Sequence, residues 1–461
     1  FALPGQVVGF PPGINLAELA LPLAYAQGFG DPRVDIGQKQ FATFLQDDFS
    51  VNEKLLIKAG FRYDIVRTKS MPNNNGNISP RVAVAYHPTE KLYLRAAYGL
   101  FFGTPLFGLS TLVELTTIKQ SVKVPVLIFP FSVLPFALPG HKFPEGNQLP
   151  TGVNFIPQLS TSFSFEPNLR NSYSQQLITG FDYSFNNNTK LSVNYSYVRG
   201  LKIVSVRNIN PIVRPIANDA IASMMFGRVD NSQGDVFQYE SAFDSYYNGI
   251  TISLNQNIKN RLTLLAHYTF SKAIDNFIDI ASSQQETVNS LNIGQERSLS
   301  LQDIRNRFVL SGVFKLDGLA NNLLRNFQVS TILNLESGKP YNLLAGIDLN
   351  GSGDSPAGDR PILNGVSLPR NAGITPGFAS VDIRLSRSFI FNENYKIEFL
   401  AEAFNLFNRT NISDLDRTFT PNAQNQFNLP AQENGRFIAP ANRFRNAFSP
   451  RQFQFGFKII F

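Results

Sequence analysis

The chain has 461 residues, of which an ordinary 43% are hydrophobic, and its formal net charge is +7. Cysteine and tryptophan are absent while phenylalanine occurs 42 times, so the sequence excludes disulfides and cysteine metal sites. Lys and Arg are scattered along the chain without forming a basic run, which argues against a nucleic-acid partner.

The first residues carry no strand pattern. The chain begins with FALPGQ, without an initiator Met or a basic-apolar signal segment, so we expect its natural beginning to lie upstream. An apolar stretch at 15–28 predicts a short helix. The pattern changes near residue 39, and everything that follows is of one kind.

Strict alternation of apolar and polar residues recurs from there to the end of the chain. In KLLIKAGFRYD, for example, Leu55, Ile57 and Phe61 alternate with Lys58 and Arg62. This two-residue period is typical of β-strands with one apolar and one polar face. The pattern predicts thirteen strands, at 39–51, 53–67, 79–87, 91–103, 172–185, 189–207, 238–258, 261–275, 304–316, 326–340, 378–391, 395–408 and 451–461. No segment with a helical period separates consecutive strands, so we expect an antiparallel, up-and-down sheet.

The connections between these strands alternate in length. Tight turns are expected at 51–53, 88–90, 186–188, 259–260, 317–325 and 392–394. Long connections are expected at 68–78, 104–171, 208–237, 276–303, 341–377 and 409–450. One rim of the sheet would then carry only tight turns, as in a transmembrane barrel with short periplasmic turns and long extracellular loops. A soluble β-sandwich, which is the alternative, has no reason to separate loop lengths so completely.

We therefore predict an all-β fold: part of a transmembrane antiparallel β-barrel with about 13 strands in this chain. The first and last strands both run toward the tight turns, so the strand number is odd, whereas single-chain bacterial barrels have even numbers. We expect further strands upstream. Residues 1–38 are assigned to an extracellular loop segment, and 39–461 to the carboxyl-terminal part of the barrel.

The long connection at 104–171 is aromatic and rich in proline. Its most apolar part, VPVLIFPFSVLPFALP at 124–139, contains four prolines and cannot form an unbroken membrane-spanning helix. Since long loops often carry function, we interpret this connection as a candidate for ligand capture or gating. The alternative is that its apolar residues pack over the mouth of the barrel.

A second loop, DLNGSGDSPAGD at 348–359, partly matches a calcium-binding loop. Oxygen-bearing side chains alternate along it, and a glycine stands at the sharp turn. The candidate ligands are Asp348, Asn350, Ser352, Asp354 and Asp359. The twelfth position is Asp rather than Glu and no flanking helices are predicted, so a loop built from Asx turns is the preferred interpretation. We accordingly expect no cofactor, and keep Ca²⁺ at this loop as the alternative.

The last strand shows the two predicted faces most clearly. In RQFQFGFKIIF, large apolar residues occupy every second position from Phe453 to Phe461, opposite Gln, Gln, Gly and Lys. We expect the odd positions to face lipid and the even positions to face a wet lumen or a plug.

Several strings in the chain resemble landmarks of TonB-dependent outer-membrane receptors. The two longest are FATFLQDDFSVNEKLLIKAGFRYD (41–64) and ISPRVAVAYHPTEKLYLRAAYGLFF (78–102). Shorter ones follow in order: YTFSKAID, DIRNRFVLSG, SGKPYN, DRPILNG, EAFNLFNRTN and the terminal SPRQFQFGFKIIF. Together they resemble the Oar-like subgroup, whose members carry a carboxypeptidase-regulatory-like sandwich before a plug domain.

This resemblance implies a barrel of twenty-two strands in the bacterial outer membrane, with about nine strands upstream of those found here. It also implies a plug that contacts the TonB complex, although neither plug, TonB box nor sandwich is visible in this chain. The terminal aromatic implies recognition by the barrel-assembly machinery, through Phe457, Ile459 and Phe461.

The function expected from the resemblance is a receptor that imports a scarce nutrient, an oligopeptide or a polysaccharide fragment, by TonB-coupled active transport. The alternatives are a passive porin and an adhesin or enzyme displayed on a barrel. Enzyme activity is not expected, because His87, His141 and His267 lie far apart and form no metal-ligand or nucleophile spacing. The expected partners are outer-membrane lipid, TonB, the assembly machinery and an unidentified extracellular substrate.

Overall fold

A computed structural model describes residues 24–26, 29–30, 33–118, 122–123, 126–128, 161–217, 219–259, 261–277, 287–316, 325–353, 358–390 and 395–461. One long strand overlaps each of the thirteen segments predicted as strands, so this prediction is confirmed. In chain order they are β1 (Gln38–Asn52), β2 (Leu55–Thr68), β3 (Asn74–Thr89), β4 (Leu92–Phe102), β5 (Tyr173–Asn186), β6 (Thr189–Asn208), β7 (Val236–Ile258), β8 (Leu262–Asp275), β9 (Asn306–Lys315), β10 (Phe327–Glu336), β11 (Phe378–Ile390), β12 (Lys396–Phe404) and β13 (Gln452–Ile460).

These strands form one antiparallel sheet in which every strand pairs with its neighbours in the sequence. Within the described residues, β1 and β13 are the two edges of the sheet. Two short strands join it, Ser162–Phe165 parallel to β7 and Ser298–Leu299 antiparallel to β8. No helix in the described part of the chain is long and apolar enough to cross a membrane.

Cross-strand register places residues of like character on the same face of the sheet. Ala401 of β12 pairs with Phe455 of β13, whereas the next residue, Glu402, pairs with Arg384 and Gln454. Phe455 is 79% exposed, so the apolar face needs an apolar surrounding rather than water. The two faces of the sheet are therefore those predicted for lipid and lumen.

The two rims differ as predicted, with one exception. The turns at 53–54, 90–91 and 187–188 are two residues long, while five connections on the opposite rim are much longer: 103–172, 209–235, 276–305, 337–377 and 405–451. The predicted long connection at 68–78 is wrong. Because β2 and β3 continue pairing as far as Val66 and Asn74, only the five residues 69–73 remain as a link.

The long connections contain small elements of their own. Pro340–Tyr341, Gly373–Ile374, Gln432–Glu433 and Arg436–Ile438 form a four-stranded sheet, and Ile412–Leu415 pairs with Phe444–Ala447. Ile362–Leu363 pairs with Val366–Ser367. The helical segments among the described residues are Leu109–Val113, which continues as a π-helix over Glu114–Ile118, then Ala220–Phe226, Ile293–Glu296 and Ala441–Arg443.

The beginning of the chain is extended where it is described. Ala24–Ala26 pairs with Val126–Ile128, and Phe29–Gly30 with Val122–Lys123, so the helix predicted at 15–28 is wrong at 24–26. Its other residues lie outside the described part of the chain. The assignment of 1–38 to an extracellular segment stays a prediction.

The described residues contain two hydrophobic clusters, one of which lies wholly in the long loops while the other packs against β6 and β7. One cluster of buried residues comes entirely from the connections at 337–377 and 405–451: Tyr341, Leu343, Leu368, Ala372, Leu415, Phe419, Phe437 and Ala439. The wall is thus held by backbone hydrogen bonds between strands, and the loops are held by packing.

The two faces of β13 can be tested with cysteines, since the chain has none of its own. We expect a Phe455→Cys variant in native outer membranes to resist a membrane-impermeant maleimide and to react with a lipid-soluble one. Gln454→Cys, which points to the opposite face, is the matched control and should react with the impermeant reagent, because that face is expected to be wet. Fast labelling of Cys at position 455 by the impermeant reagent would contradict the assignment.

Candidate functional site

The polar face of the wall carries cross-strand ion pairs. Arg95 of β4 donates from Nη1 to Asp182 Oδ2 of β5 at 2.8 Å, and Lys190 Nζ of β6 lies 3.0 Å from the same oxygen. At the other end of the sheet, Arg384 Nη2 lies 2.6 Å from Glu402 Oε1. Acidic and basic groups are therefore matched along this face, which makes it polar without giving it a single sign of charge, as suits a wet lumen.

Both histidines in the described residues contact neighbouring side chains. His267 Nδ1 lies 2.7 Å from Ser253 Oγ on the polar face, and the His87 ring packs at a tilt against Tyr93 with 4.3 Å between centroids. His141 lies outside the described residues. Within the described ranges, no group of three or more His, Asp or Glu side chains is placed to hold a metal ion.

A buried ion pair joins the loops 276–305 and 337–377. Arg360 donates from Nη1 to Glu296 Oε2 at 2.7 Å and from Nη2 to Oε1 at 3.0 Å. The two side chains are only 3% and 1% exposed. The Arg360 Nε group also donates to the Leu368 carbonyl at 2.8 Å. Such a bidentate contact between charged groups fixes the orientation of the two side chains as well as their distance. It therefore fixes how the two loops pack against each other.

A second buried arginine extends this link to the end of β8. Arg370, also buried, donates from Nε to the Glu296 carbonyl at 2.8 Å and from Nη2 to the Asp275 carbonyl at 2.6 Å. The Nη2 group also contacts the Asp275 carboxylate. We call Asp275, Glu296, Arg360 and Arg370 the loop lock.

The third loop, 405–451, is attached to the same unit through the small sheet. Arg436 donates from Nη2 to the carbonyls of Asn371 at 2.7 Å and Gly373 at 2.6 Å. The Tyr341 ring lies against Gly373, where an added Cβ would come within 2.3 Å of ring carbons. Glycine is therefore required at this close approach, and the three loops pack as one body.

A cavity of about 870 Å³ lies where these loops meet the outer ends of β10 to β12. Glu336 and Asp382 line it from the polar face of the wall, and Tyr341, Asp414 and Phe448 line it from the loops. We call it the roof cavity. It is the place where the lumen-facing wall and the locked loops present side chains to a common space.

The described part of the candidate calcium loop is held by its own hydrogen bonds. The Asp348 carboxylate accepts from the backbone N–H groups of Ser352 at 3.1 Å and Gly353 at 2.9 Å. Asn350 Oδ1 also accepts from the Ser352 N–H, at 2.8 Å. The Asn350 contact, two residues on, is an Asx turn, and the Asp348 carboxylate bonds the backbone four and five residues on.

The far end of that loop is buried. Asp359 Oδ2 accepts from the Leu349 N–H at 2.5 Å and the Asn350 N–H at 3.2 Å. Burial raises the pKa of the Asp359 carboxyl, and the two N–H donors oppose that rise. Asp354 lies outside the described residues. Calcium binding at this loop stays a prediction.

The described ends of the connection 103–172 pack against the wall. Leu109 and Val113 of the short helix join Leu169 in a buried cluster with Val206 of β6 and Tyr239 of β7. The proline-rich centre at 129–160 lies outside the described residues, so its proposed role in ligand capture stays a prediction.

The candidate barrel-assembly residues stand on the apolar face of β13 and beyond its end. Phe457 and Ile459 are 69% and 54% exposed, and Phe461 is 92% exposed. Their exposure fits a surface for lipid or for another protein, and recognition by the assembly machinery stays a prediction.

Sequence reasoning missed the loop lock. Glu296 and Arg360 are 64 residues apart, and Glu296 and Arg370 are 74 apart, so no local period connects them. The available signal was the position of Arg360 inside the landmark DRPILNG, where a charge stands among apolar and turn residues.

Comparisons with known proteins agree with this architecture. A family model described as an outer membrane beta barrel domain matches residues 66–369 and 364–454. The TonB-dependent transporter Oar of Myxococcus xanthus is 21% identical over 323 residues, which are 64% of this chain and 29% of that protein. The chain thus spans under a third of this curated relative.

Two solved structures have a similar fold. The outer-membrane transporter YddB of Escherichia coli has a TM-score of 0.57 at 11% identity, covering 92% of this chain and 45% of that one. A ferric enterobactin receptor of Pseudomonas aeruginosa has a TM-score of 0.51 at 12% identity, with the same coverage. At such identities the likeness shows the fold alone.

The loop lock generates a stability prediction. Glu296→Gln should leave the Arg360 charge buried without its partner, which costs about 3–5 kcal/mol when one member of a buried pair is removed. We expect faster cleavage of the long loops by proteinase K on intact cells that express the full gene. Arg445→Gln is the control, because Arg445 is 60% exposed and lies 3.4 Å from Asp416.

A double variant, Glu296→Gln with Arg360→Met, removes both charges and should recover part of the protease resistance. If the double variant is cleaved as fast as Glu296→Gln alone, an uncompensated buried charge is not the cause.

Proposed function

Because this chain belongs to the outer membrane beta-barrel family and lies in the bacterial outer membrane, we propose that it forms the wall and ligand-capturing loops of a nutrient receptor. The receptor imports a scarce nutrient by active transport, with energy passed from TonB through a plug. The substrate is an oligopeptide or a polysaccharide fragment.

One observation carries this proposal: three long loops are locked into a body that shares the roof cavity with the lumen-facing wall. A passive pore has no need of loops with their own hydrophobic core. A receptor benefits from them, because a binding surface that is ordered in advance loses less entropy when the ligand arrives.

The strands, the ion pairs and the loops of this chain have different roles in the proposed mechanism. The strands provide a wall that keeps its shape because neighbouring strands pair their backbone groups along the sheet. The matched ion pairs of the polar face, such as Arg95 with Asp182, keep the lumen hydrated and give a plug polar groups to bind and release. The locked loops hold the ligand above that lumen until the plug moves.

The alternative of a passive porin predicts a different electrical behaviour. We expect the receptor made from the full gene to show no steady conductance in a planar bilayer bathed in potassium chloride. In cells, formaldehyde should cross-link it to TonB, and deletion of TonB should remove that product. A stable open-channel current would contradict the proposal. So would the absence of the TonB cross-link in cells with normal receptor levels.

Recognition by the barrel-assembly machinery is proposed for the end of β13. We expect Phe461→Ala to lower the folded, heat-modifiable fraction of the receptor in outer membranes severalfold. Phe453→Ala is the matched control, since Phe453 lies on the same face of β13 but eight residues earlier. Equal losses in the two variants would indicate a general loss of apolar surface instead.

A further inference from the structure

The roof cavity is lined by oxygen atoms that no donor among the described residues satisfies. Asp382 accepts from Ser380 Oγ at 3.0 Å and from the Asn405 N–H at 2.8 Å, and both bonds end on Oδ1. Among the described residues, nothing donates to its Oδ2. A carboxylate oxygen left open toward a cavity is a binding group for a donor brought by a ligand.

Two more carboxylates line the cavity in a similar state. Asp414 accepts at Oδ1 from the Leu415 N–H at 2.9 Å, and Glu336 Oε1 lies 3.1 Å from Arg307 Nε. Within the described part of the chain, the second oxygen of each has no donor. Each of the three lining carboxylates thus has one oxygen atom that accepts no hydrogen bond from the described residues.

Two uncharged polar groups that line the cavity also lack a hydrogen-bond partner within the described ranges. The hydroxyl of Tyr341, which is 3% exposed, and the Oδ1 atom of Asn334 are buried without a hydrogen-bond partner among the described residues. Both residues line the cavity. Burial raises the pKa of Tyr341 to about 12, so its hydroxyl keeps its proton. Buried polar groups are normally satisfied, so unpaired ones beside a cavity point to an absent ligand or water.

Aromatic rings form the apolar part of the cavity lining. Phe378 and Phe448 pack edge to face with 5.6 Å between centroids. Phe448 is 53% exposed and Phe404 is 38% exposed, so ring surface is available to a ligand. Aromatic faces attract cations as well as apolar groups.

The charged residues of the lining disfavour two other classes of ligand. Lys339 and Arg417 are its basic residues, against three acidic ones, so an anion is not favoured. The carboxylates do not form a metal-binding group of three within the described residues. What remains is an organic ligand that brings donors and positive charge.

We propose that the roof cavity binds the cationic group of a ligand, an ammonium or guanidinium carried on an apolar or aromatic body. The Asp382 and Asp414 carboxylates receive the cation, and Phe404 and Phe448 cover the apolar part. The proposal rests on the proposed function for its place in transport, and it deepens it by naming the chemistry of the imported molecule.

The test is equilibrium binding to the purified receptor made from the full gene, read by fluorescence anisotropy of the ligand. The probe is arginine 2-naphthylamide, which joins a guanidinium to an aromatic ring. Citrulline 2-naphthylamide has nearly the same shape without the charge. We expect the arginine probe to bind at least tenfold more tightly, since a hydrogen bond to a charged group is worth about that factor.

Variants locate the binding. Asp382→Asn and Asp414→Asn should each weaken the arginine probe about tenfold and leave the citrulline probe unchanged. Asn keeps the Oδ1 acceptor that Ser380 and Asn405 use, so the fold should persist. Glu398→Gln is the matched control, because it removes the same charge from the polar face outside the cavity lining.

Equal binding of the two probes, or equal effects of the Asp382 and Glu398 variants, would overturn the inference. The binding assay needs neither TonB nor transport, so its outcome is independent of the test of the proposed function. Binding that persists without a TonB cross-link would contradict only the transport mechanism. A normal cross-link with no preference for the arginine probe would contradict only the ligand chemistry.

Discussion

The constraint on which the rest of the structure depends is that backbone N–H and C=O groups cannot stay unpaired in hydrocarbon. Between the two edge strands β1 and β13, each of the described long strands meets it by pairing on both sides with its sequence neighbours, so the sheet is held by its backbone hydrogen bonds. One face is then free to be apolar toward lipid and the other polar toward water. The alternation of residues along every strand is a direct consequence of this division.

That constraint also explains what could be predicted from sequence. The strands were predictable because a two-residue period is local and is repeated in every strand. The link at 68–78 was not, because Asn74 and Asn77 are turn-forming residues that here continue a hairpin, with the buried Asn77 Nδ2 donating to the Asp64 carbonyl at 3.1 Å. Tertiary pairing outweighed the local preference.

The candidate site was harder to foresee for a related reason. Its groups come from loops and strand ends that are far apart in sequence, as with Glu296 and Arg360. Motif matching pointed instead to 348–359, where side-chain oxygens recur at the spacing of a calcium loop but serve the backbone of the loop itself. Residue spacing shows which side-chain groups could bind a ligand. The partners that the fold itself supplies decide which of those groups remain free to do so.

The loop lock has a consequence for how such a receptor changes over evolutionary time. Because Arg370 contacts backbone and carboxylate groups of two other segments, none of the joined loops can be exchanged alone without breaking buried contacts. Insertions and recombination within these loops should therefore be strongly disfavoured. New specificity can arise more easily by single substitutions at positions such as Asp414, which line the roof cavity but take no part in the lock.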